Sequence, residues 1–331
     1  MKRRATVVDV ARLAEVGPST VSRFLRGVNV SKKTSAKIEQ AIRETGYQPD
    51  EAARALRNGR FQTLGLVVPK VANTFFGQTV QMMEERARAL GYSLMLFTHM
   101  DRADEQAKQL STLRRCRVDG VILTAAPNTT ADQIRRELGD TPVVAYDAAF
   151  SDDVDSVVLQ NREAACEATE HLAAHGMQKI ALVGAKPTIF SFAERIEGYS
   201  EAMKSRGLQP ALILAEDYDE LRYMLRNTLR IKERPEALLS LSDFATHNVI
   251  RIFEELHLAP KDWVPLVGFD DFAYAPLLGL PISVIQQPIE EMVRTALNLL
   301  MRRIQHPEAQ SPPQVIRVPG ELVRRRSCGC T

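Results

Sequence analysis

The histidines at positions 171 and 175 have the spacing of a metal-binding pair. His171 and His175 lie four residues apart in a stretch with helical periodicity, so both rings would project from one helix face, one turn apart. Cys166, Glu167 and Glu170 precede them and are also potential ligands. The spacing of two histidines is by itself weak evidence for zinc, so we expect no metal here.

A second candidate pair of ligands is Cys328-Gly329-Cys330, close to the end of the chain. These thiols could bind a metal or be oxidised, but a lone pair on a chain end does not define a metal site. The remaining cysteines, Cys116 and Cys166, are too scattered in the sequence for a disulfide framework. The sequence therefore predicts reduced thiols and no cofactor.

Signals of catalysis are weak in this sequence. The acidic pairs Asp152-Asp153 and Asp270-Asp271 could act as acid catalysts, but neither has a partner residue at a defined spacing. The sequence also has no Walker-type phosphate loop, no Gly-x-Gly-x-x-Gly, no Gly-x-Ser-x-Gly elbow and no zincin motif. We expect a protein that is not an enzyme.

Positive charge is concentrated in the first sixty residues. That segment has thirteen Lys and Arg against six Asp and Glu, whereas the remaining 271 residues have thirty against thirty-five. A segment of net charge +7 therefore precedes one of net charge −5. Basic side chains that neutralise phosphates release counterions and so supply affinity for nucleic acid. A solvated basic tail would have the same charge, and charge alone leaves both interpretations open.

Apolar spacing in the basic segment predicts short helices. Residues 7–14 have an apolar face at helical intervals, and Gly17 followed by Pro18 can begin a second helix. A third helix would extend from a Ser31 cap to Gly46. The tight turn between the first two helices predicts a helix-turn-helix unit, whose second helix can enter the major groove of DNA. Small hydroxyls and an arginine would face outward from that second helix: Ser19, Thr20, Ser22 and Arg23.

From residue 62 onward, β-branched runs alternate with helical patterns. Such βα units predict parallel, doubly wound sheets with ligand sites at the carboxyl ends of the strands. About ten strands are too many for one modest sheet, so we expect two α/β lobes with the ligand between them. The predicted strands are Thr63–Pro69, Tyr92–Thr98, Gly120–Thr124, Pro142–Tyr146, Ser156–Leu159, Lys179–Val183, Ala211–Leu214, Ala237–Ser240, Val264–Gly268 and Ile282–Ile285. The helices between them include Gly77–Leu90, Ala103–Cys116, Arg162–His175, Ala193–Arg206, Phe244–Leu256 and Glu290–Ile304.

The sequence lacks the apolar segments that direct proteins to membranes or across them. No run approaches about 20 apolar residues, and the basic start at residues 1–4 leads into no apolar signal segment. We therefore expect a cytoplasmic protein that does not contact membranes and associates with the nucleoid when it is bound to DNA.

The chain resembles the LacI/GalR family of bacterial transcription regulators over nearly its whole length. The resemblance in the head rests on Asp9-Val10-Ala11, Thr20-Val21-Ser22-Arg23, Val30-Ser31, Thr34 and Gly46-Tyr47-Gln48-Pro49. It implies a DNA-binding domain at residues 1–49, a hinge helix or linker at 50–61, and a two-lobed periplasmic-binding-protein-like core at 62–331. The first lobe would comprise about 62–159 and 290–318, and the second about 160–288 and 319–331. The implied DNA contacts are Pro18, Ser19 and Arg23 to bases, Thr20 and Ser22 to phosphates, and Thr6, Ser31 and Thr34.

The alanine-rich segment between head and core is similar to the family's hinge helix. Its residues Ala53, Arg54 and Leu56 match a helix that forms on the operator and inserts a leucine into the minor groove. We expect Leu56 and Ala53 to contact a flexible central step of the operator. A simple linker has the same composition and remains the alternative reading.

Two residues in the head depart from the family pattern. Glu15 stands where the turn normally has glycine, and Gly17 stands where the second helix normally has a serine cap. We expect Glu15 to strain a left-handed turn and to repel phosphate, which would weaken DNA binding.

The resemblance also implies the residues that bind a small effector between the lobes. Phe75 and Phe76 match aromatic residues at the cleft, Arg195 matches an arginine that reaches the effector, and Asp270 matches a carboxylate that accepts from it. For Phe76, plain core packing is an equal alternative. Further implied contacts are Gln160, Ser242 and Asp243, and at the first two the family usually has other residues. Lys186 is predicted separately, as a cation that would meet an anionic effector.

The departures at Gln160 and Ser242 favour an anionic effector, because Gln160 replaces a usual aspartate and makes the cleft less acidic. We expect a sugar acid or sugar phosphate whose charge meets Arg195 and Lys186, with a neutral sugar or a purine or nucleoside as the alternatives. A sugar-binding transport protein would have the same two-lobed core, but the basic head and the missing signal segment disfavour it. The chain ends soon after residue 322 without a heptad tail, so a homodimer on a palindromic operator is expected.

Overall fold

The computed structural model describes residues 5–25, 28–47, 60–308 and 311–330. These residues form two compact units, a head that extends to Phe61 and a body that begins at Gln62. The hinge residues Ala53, Arg54 and Leu56 lie outside the described residues, so their predicted DNA contacts remain predictions. Within the described ranges, none of the helices combines the length and apolarity that crossing a membrane would need.

The head contains the helices expected from its apolar spacing: α1 at Val7–Leu13, α2 at Pro18–Leu25 and α3 at Lys32–Thr45. Thr6 caps α1 in a capping box with Asp9, and Gly46 ends α3 in the left-handed conformation. The three helices share a small core of buried side chains: Val10, Ala11, Ala14, Val21, Ile38, Ala41 and Tyr47.

The turn between α1 and α2 has the left-handed backbone that the sequence predicted. Glu15 has φ 56°, a conformation that costs free energy in any residue other than glycine. Lys37 on α3 donates to Glu15 at 2.7 Å, which neutralises part of its charge. Gly17 directly precedes α2, and its carbonyl oxygen accepts hydrogen bonds from the amides of Thr20 and Val21.

The first lobe of the body is a parallel sheet with helices on both faces. Among the described residues its strand order is β11-β5-β4-β3-β1-β2, and each neighbouring pair is parallel. The strands are β1 Thr63–Val68, β2 Ser93–Thr98, β3 Gly120–Leu123, β4 Val143–Tyr146, β5 Asp155–Leu159 and β11 Val315–Val318. The helices are α4 Thr74–Ala89, α5 Ala103–Arg115, α6 Ala131–Leu138 and α11 Ile289–Gln305. Helices α4 and α11 bury apolar side chains on one face, while α5 and α6 cover the other.

The second lobe repeats this architecture with one antiparallel edge strand. Its strand order within the described part of the chain is β12-β10-β9-β8-β6-β7. The strands are β6 Ile180–Ala185, β7 Ala211–Ala215, β8 Ala237–Ser240, β9 Leu266–Phe269, β10 Ser283–Gln286 and β12 Glu321–Val323. The helices are α7 Asn161–Ala174, α8 Phe190–Ser205, α9 Tyr218–Arg230 and α10 Asp243–Glu255. Helices α7 and α8 pack on one face of this sheet, and α9 and α10 pack on the other.

The strands predicted from β-branched runs are confirmed, with ends that shift by one or two residues. The sequence prediction missed the two short edge strands β11 and β12, together with helices α6 and α9. It also described the sheets as parallel, and this is wrong for β12, which pairs antiparallel with β10. After α11 the chain adds β11 to the sheet of the first lobe and β12 to the sheet of the second. The direction of a strand of only three or four residues depends on the sheet edge against which it pairs.

Candidate functional site

A cavity of about 400 Å³ lies between the two lobes. It is lined by residues that directly follow strands of both sheets, because the carboxyl ends of parallel strands meet at one edge. Thr124 and Asp147 follow β3 and β4 in the first lobe, and Lys186 and Asp270 follow β6 and β9 in the second. The size and position suit one small ligand enclosed between the lobes.

Arg195 is the central cation of this cavity and is 2% exposed. Its Nε donates to Asn161 Oδ1 at 2.8 Å, and its Nη1 donates to the carbonyl oxygen of Leu241 at 2.6 Å. The guanidinium also lies 4.0 Å from the centre of the Phe269 ring. These contacts hold the planar group in one orientation, so its remaining N–H groups can meet a ligand without further ordering.

Two buried carboxylates accompany Arg195. Burial raises the pKa of Asp147 to about 7, although the charge of Arg195 acts in the opposite direction. Burial also raises the pKa of Asp270, which again is opposed by Arg195. Gln287 donates to Asp270 Oδ1 at 2.6 Å and thereby fixes that carboxylate toward the cavity. One cation and two acids in the lining of the cavity form a polar anchor for a ligand.

Several polar atoms around this anchor have no hydrogen-bond partner among the described residues: Asp147 Oδ1, Gln287 Oε1 and Thr124 Oγ1. A buried polar atom without a partner costs roughly 1–3 kcal/mol, and a ligand that bonds to it would recover that cost. The carboxylate and amide oxygens accept hydrogen bonds, so the cavity is complementary to a ligand that carries hydroxyl or amine donors.

Aromatic side chains form the apolar wall. Phe75 and Phe76, both predicted from the sequence, border the cavity at 3% and 8% exposure. Phe75 stacks on Tyr146 with ring centres 6.0 Å apart and meets Phe76 edge to face at 5.0 Å. Both rings also belong to the core of the first lobe, so the packing role and the cavity-lining role coincide.

Polar contacts join the lobes around the cavity. Asp243 at the start of α10 accepts from Asn73 Nδ2 at 2.6 Å and from the Thr74 amide at 3.0 Å. Lys186 in the second lobe forms an ion pair with Asp101 in the first lobe at 2.5 Å. These bonds can form only when the lobes are close together, so they favour the closed cleft.

The structure places two of the predicted effector contacts outside the cavity lining. Gln160 does not border the cavity, since it precedes α7 and its amide donates to the carbonyl of Val318. Asp243 does not border it either, because its carboxylate is bonded to the first lobe. Lys186 does border the cavity, but its charge is already paired with Asp101.

The remaining predicted residues border the cavity, and several polar lining residues were missed. Ser242 lines the cavity while its hydroxyl caps α10 by accepting from the Ala245 amide at 3.2 Å. Asp147 and Gln287 are among the lining residues that were not identified from the sequence. Asp147 directly follows a predicted strand, so a search for polar residues after each strand would have found it, whereas Gln287 lies two residues beyond the predicted strand end at Ile285.

In the head, the structure separates the predicted DNA contacts into two groups. Pro18, Ser19 and Arg23 are exposed on α2, whereas Thr20 and Ser22 are half-buried. Three predicted DNA contacts, Thr6, Ser31 and Thr34, take part in helix caps. Thr6 bonds to Asp9 at the start of α1, and Ser31 bonds to Thr34 at the start of α3. Helix N-termini carry free amides and partial positive charge, which suits phosphate contacts as well.

A helix-turn-helix unit joined to a two-lobed body with a buried polar cavity defines a DNA-binding regulator controlled by a small ligand. Comparison with known families agrees with this description. The profile of periplasmic binding proteins and the sugar binding domain of the LacI family matches residues 61–326, and that of bacterial regulatory proteins of the lacI family matches residues 6–50. The chain belongs to the LacI family and is a transcriptional regulator.

Curated relatives resemble the chain from end to end. It is 30% identical to the ribose operon repressor of Escherichia coli K12, over 92% of this chain and 95% of that protein. It is 29% identical to the transcriptional repressor PurR of Actinobacillus pleuropneumoniae serotype 5b, over 98% of each chain. Among solved structures, the Lac repressor dimer bound to operator and the anti-inducer ONPF has a similar fold, with a TM-score of 0.86 at 23% identity over 98% of this chain and 99% of that one. A CelR–cellobiose complex matches with a TM-score of 0.70 at 26% identity, over 98% of this chain and all of that one.

Proposed function

We propose that this protein is a cytoplasmic, homodimeric repressor of carbohydrate-utilisation genes, with no catalytic activity of its own. The dimer would bind a palindromic operator through α2 and the hinge segment, and a small effector would bind between the lobes of the body. The repressors among its relatives support the class of function. The observation that carries the effector proposal is that Arg195 shares the cavity lining with Asp147, Gln287 and Thr124, each of which has a side-chain oxygen without a hydrogen-bond partner among the described residues.

We propose a hydroxyl-rich sugar as the effector. Lys186 is paired with Asp101, and Arg195 is compensated by Asp147 and Asp270, so two of the three cations that line the cavity already have nearby carboxylates. The charge argument for an anionic effector is therefore weaker than the sequence suggested. Hydroxyl groups would donate to the free acceptors and accept from the arginine.

Lys70 keeps the anionic alternative open. It borders the cavity, and among the described residues its ammonium has no carboxylate within ion-pair distance. Its nearest aromatic ring is Phe244 at 5.9 Å. A sugar phosphate or sugar acid that places its anionic group at Lys70 would use this charge.

The effector proposal is tested by calorimetric titration of the full-length protein with neutral pentoses and hexoses, a sugar acid, a sugar phosphate and a purine base. Binding of a neutral sugar that survives Lys70→Ala supports our assignment. Tight binding of a charged sugar that Lys70→Ala abolishes would show that the effector is an anionic sugar and not a neutral one. Binding of the purine alone would reject a carbohydrate effector.

The operator proposal is tested by selecting bound duplexes from a random library at two salt concentrations. Specific binding enriches a palindrome that persists at higher salt, whereas purely electrostatic binding enriches nothing and falls steeply. Arg23→Ala is expected to lose the enriched sequence while retaining salt-sensitive binding. Selection is repeated with each ligand that binds, because a corepressor would be required if the free protein enriches no sequence.

Effector affinity is expected to depend on pH through Asp147. Its raised pKa, about 7, means that the empty cavity holds a proton near neutrality. A ligand hydroxyl that donates to the carboxylate favours the ionised form, so binding releases this proton and affinity rises as the pH increases from about 6 to about 8. The dependence approaches tenfold per pH unit below the pKa and levels off above it. Titrations across this range should show the slope for the natural chain and a flat profile for Asp147→Asn; an equal slope in both would assign the pH dependence to another group.

A further inference from the structure

The end of helix α7 and the C-terminal segment bring together four potential metal ligands outside the effector cavity. His171 lies on the last turn of α7, His175 is the residue that follows this helix, and Cys328 and Cys330 lie beyond the edge strand β12. One ligand atom from each residue lies within 4.8 Å of every other. The two pairs, each considered insufficient from sequence spacing alone, therefore form a single cluster in the fold.

Three sulfur–nitrogen distances within this cluster fit tetrahedral zinc. With zinc–sulfur bonds of about 2.3 Å and zinc–nitrogen bonds of about 2.0–2.1 Å, a sulfur and a nitrogen bound to one tetrahedral zinc lie roughly 3.5 Å apart. The Nε2 atom of His171 lies 3.2 Å from Cys328 Sγ and 3.6 Å from Cys330 Sγ. His175 Nε2 lies 3.4 Å from Cys330 Sγ. All three distances are close to that value.

The backbone holds these side chains in place from both sides. The histidines are one turn apart at the end of α7, with ring centres 4.9 Å apart and ring planes at 85°. Beside Cys328, the buried Ser327 donates to the Leu266 carbonyl at 2.6 Å and accepts from the Ser283 amide at 2.8 Å. Gly329 separates the cysteines with φ 95°, a conformation that glycine adopts at little cost. This turn lets both thiols face the histidines.

Each sulfur contacts more than one polar atom. Cys330 Sγ contacts the Nε2 atoms of both histidines, and Cys328 Sγ contacts His171 Nε2 and donates to the Arg325 carbonyl at 3.2 Å. Hydrogen bonds can satisfy these contacts, because a thiol donates one hydrogen and its sulfur also accepts. Four lone-pair donors that point toward one another are stabilised by a shared cation. The other cysteines lie outside the cluster, and Cys116 is exposed.

We propose that His171, His175, Cys328 and Cys330 bind one structural zinc ion. Two thiolates and two neutral imidazoles balance the charge of Zn²⁺, and binding releases the two thiol protons. Tetrahedral coordination by two sulfur and two nitrogen atoms favours zinc among the common divalent metals, and four protein ligands leave no open position for catalysis. The ion joins the C-terminal segment to α7, the helix whose first residue, Asn161, bonds to Arg195.

The test uses the full-length protein, purified with a non-chelating reductant, saturated with zinc and then dialysed. Metal analysis is expected to find one zinc per chain. Cobalt(II) substitution is expected to give the visible absorption of a tetrahedral thiolate site. Cys330→Ser and His175→Asn should each weaken zinc binding by about 100-fold or more, because each removes a direct ligand. Cys116→Ser, which removes a thiol outside the cluster, should retain zinc and the cobalt spectrum.

Thermal unfolding of the same samples distinguishes the loss of a metal site from the misfolding of a variant. Zinc should raise the midpoint of the natural chain and of Cys116→Ser but leave Cys330→Ser unchanged. The proposal is overturned if the reduced protein retains no zinc, if Cys330→Ser and His175→Asn bind zinc as tightly as the natural chain, or if only a different metal is retained at one ion per chain.

Discussion

Replacing Arg195 with alanine is expected to remove the response to effector. The arginine is buried, and its fork reaches the cavity between Asp147 and Asp270. Without it, a ligand loses its charged hydrogen-bond donor. The two buried acids also lose the cation that offsets the cost of burying their negative charge. Removing one partner of a buried charged group typically costs about 3–5 kcal/mol, so effector affinity should fall at least about 100-fold. Calorimetry and effector-dependent release or retention of operator DNA would measure both consequences.

Two further variants show whether this loss is local. Arg195→Lys keeps a cation near the acids but lacks the planar fork that bonds to Asn161 and Leu241. Its unfolding temperature should be closer to that of the natural chain than the unfolding temperature of Arg195→Ala is, and it should still bind effector weakly. Arg251→Ala removes an exposed arginine of the same lobe that pairs with Glu255, so it should change neither property. Undiminished effector affinity in Arg195→Ala would refute the assigned anchor.

The second large effect is expected at Gly198, where helices α7 and α8 cross. A Cβ atom at this position would lie 2.0 Å from the carbonyl oxygen of Arg162 and 2.7 Å from its carbonyl carbon. Backbone atoms cannot rotate away, so Gly198→Ala must move one helix relative to the other. We expect a loss of about 3 kcal/mol or more in the free energy of unfolding of the body. The shift would also disturb Asn161, which orients Arg195, and so weaken effector binding.

Urea unfolding of the body provides the measurement, with the shift in midpoint at constant slope as the readout. Gly65→Ala is the matched comparison, because its added Cβ would meet the side-chain methyl carbons of Leu113 at 2.7 and 2.9 Å, which can partly move aside. Gly17→Ala in the head meets no atom closer than 3.5 Å and should leave the body unaffected. A body that tolerates Gly198→Ala as well as Gly65→Ala would contradict the close crossing.

The contacts between the lobes indicate how an effector could act. Asp243 and the ion pair of Lys186 with Asp101 hold the cleft closed through bonds that an open cleft would lose. A ligand that bonds to the polar groups of both lobes stabilises the same closed state. The ratio of its affinities for the closed and open states sets how far the equilibrium between these states shifts. Asp243 is therefore expected to tune the sensitivity to effector although it does not line the cavity, and the pair of Lys186 with Asp101 is expected to do so as part of the lining.

Local patterns in the sequence determined the elements of this protein. Apolar spacing and caps predicted the helix-turn-helix, and alternating βα patterns predicted the strands of both lobes before their order was known. The family resemblance also identified Arg195, Asp270 and the cavity phenylalanines. The helices and strands depend on periodicity and on residue types within a few turns of one another, which a single chain displays directly. The cavity residues were predicted from the resemblance alone.

Only the tertiary structure decided which distant residues meet. Asp147 and Gln287 join Arg195 because the strand order brings the ends of both sheets to one cleft, and Asp243 bonds to the first lobe because that cleft is closed. His171 and Cys328, 157 residues apart in the chain, are neighbours because β12 pairs with β10 at the edge of the second sheet and returns the C-terminal segment to α7. Sequence spacing encodes the backbone conformation of each element, whereas such contacts depend on the order and packing of whole elements.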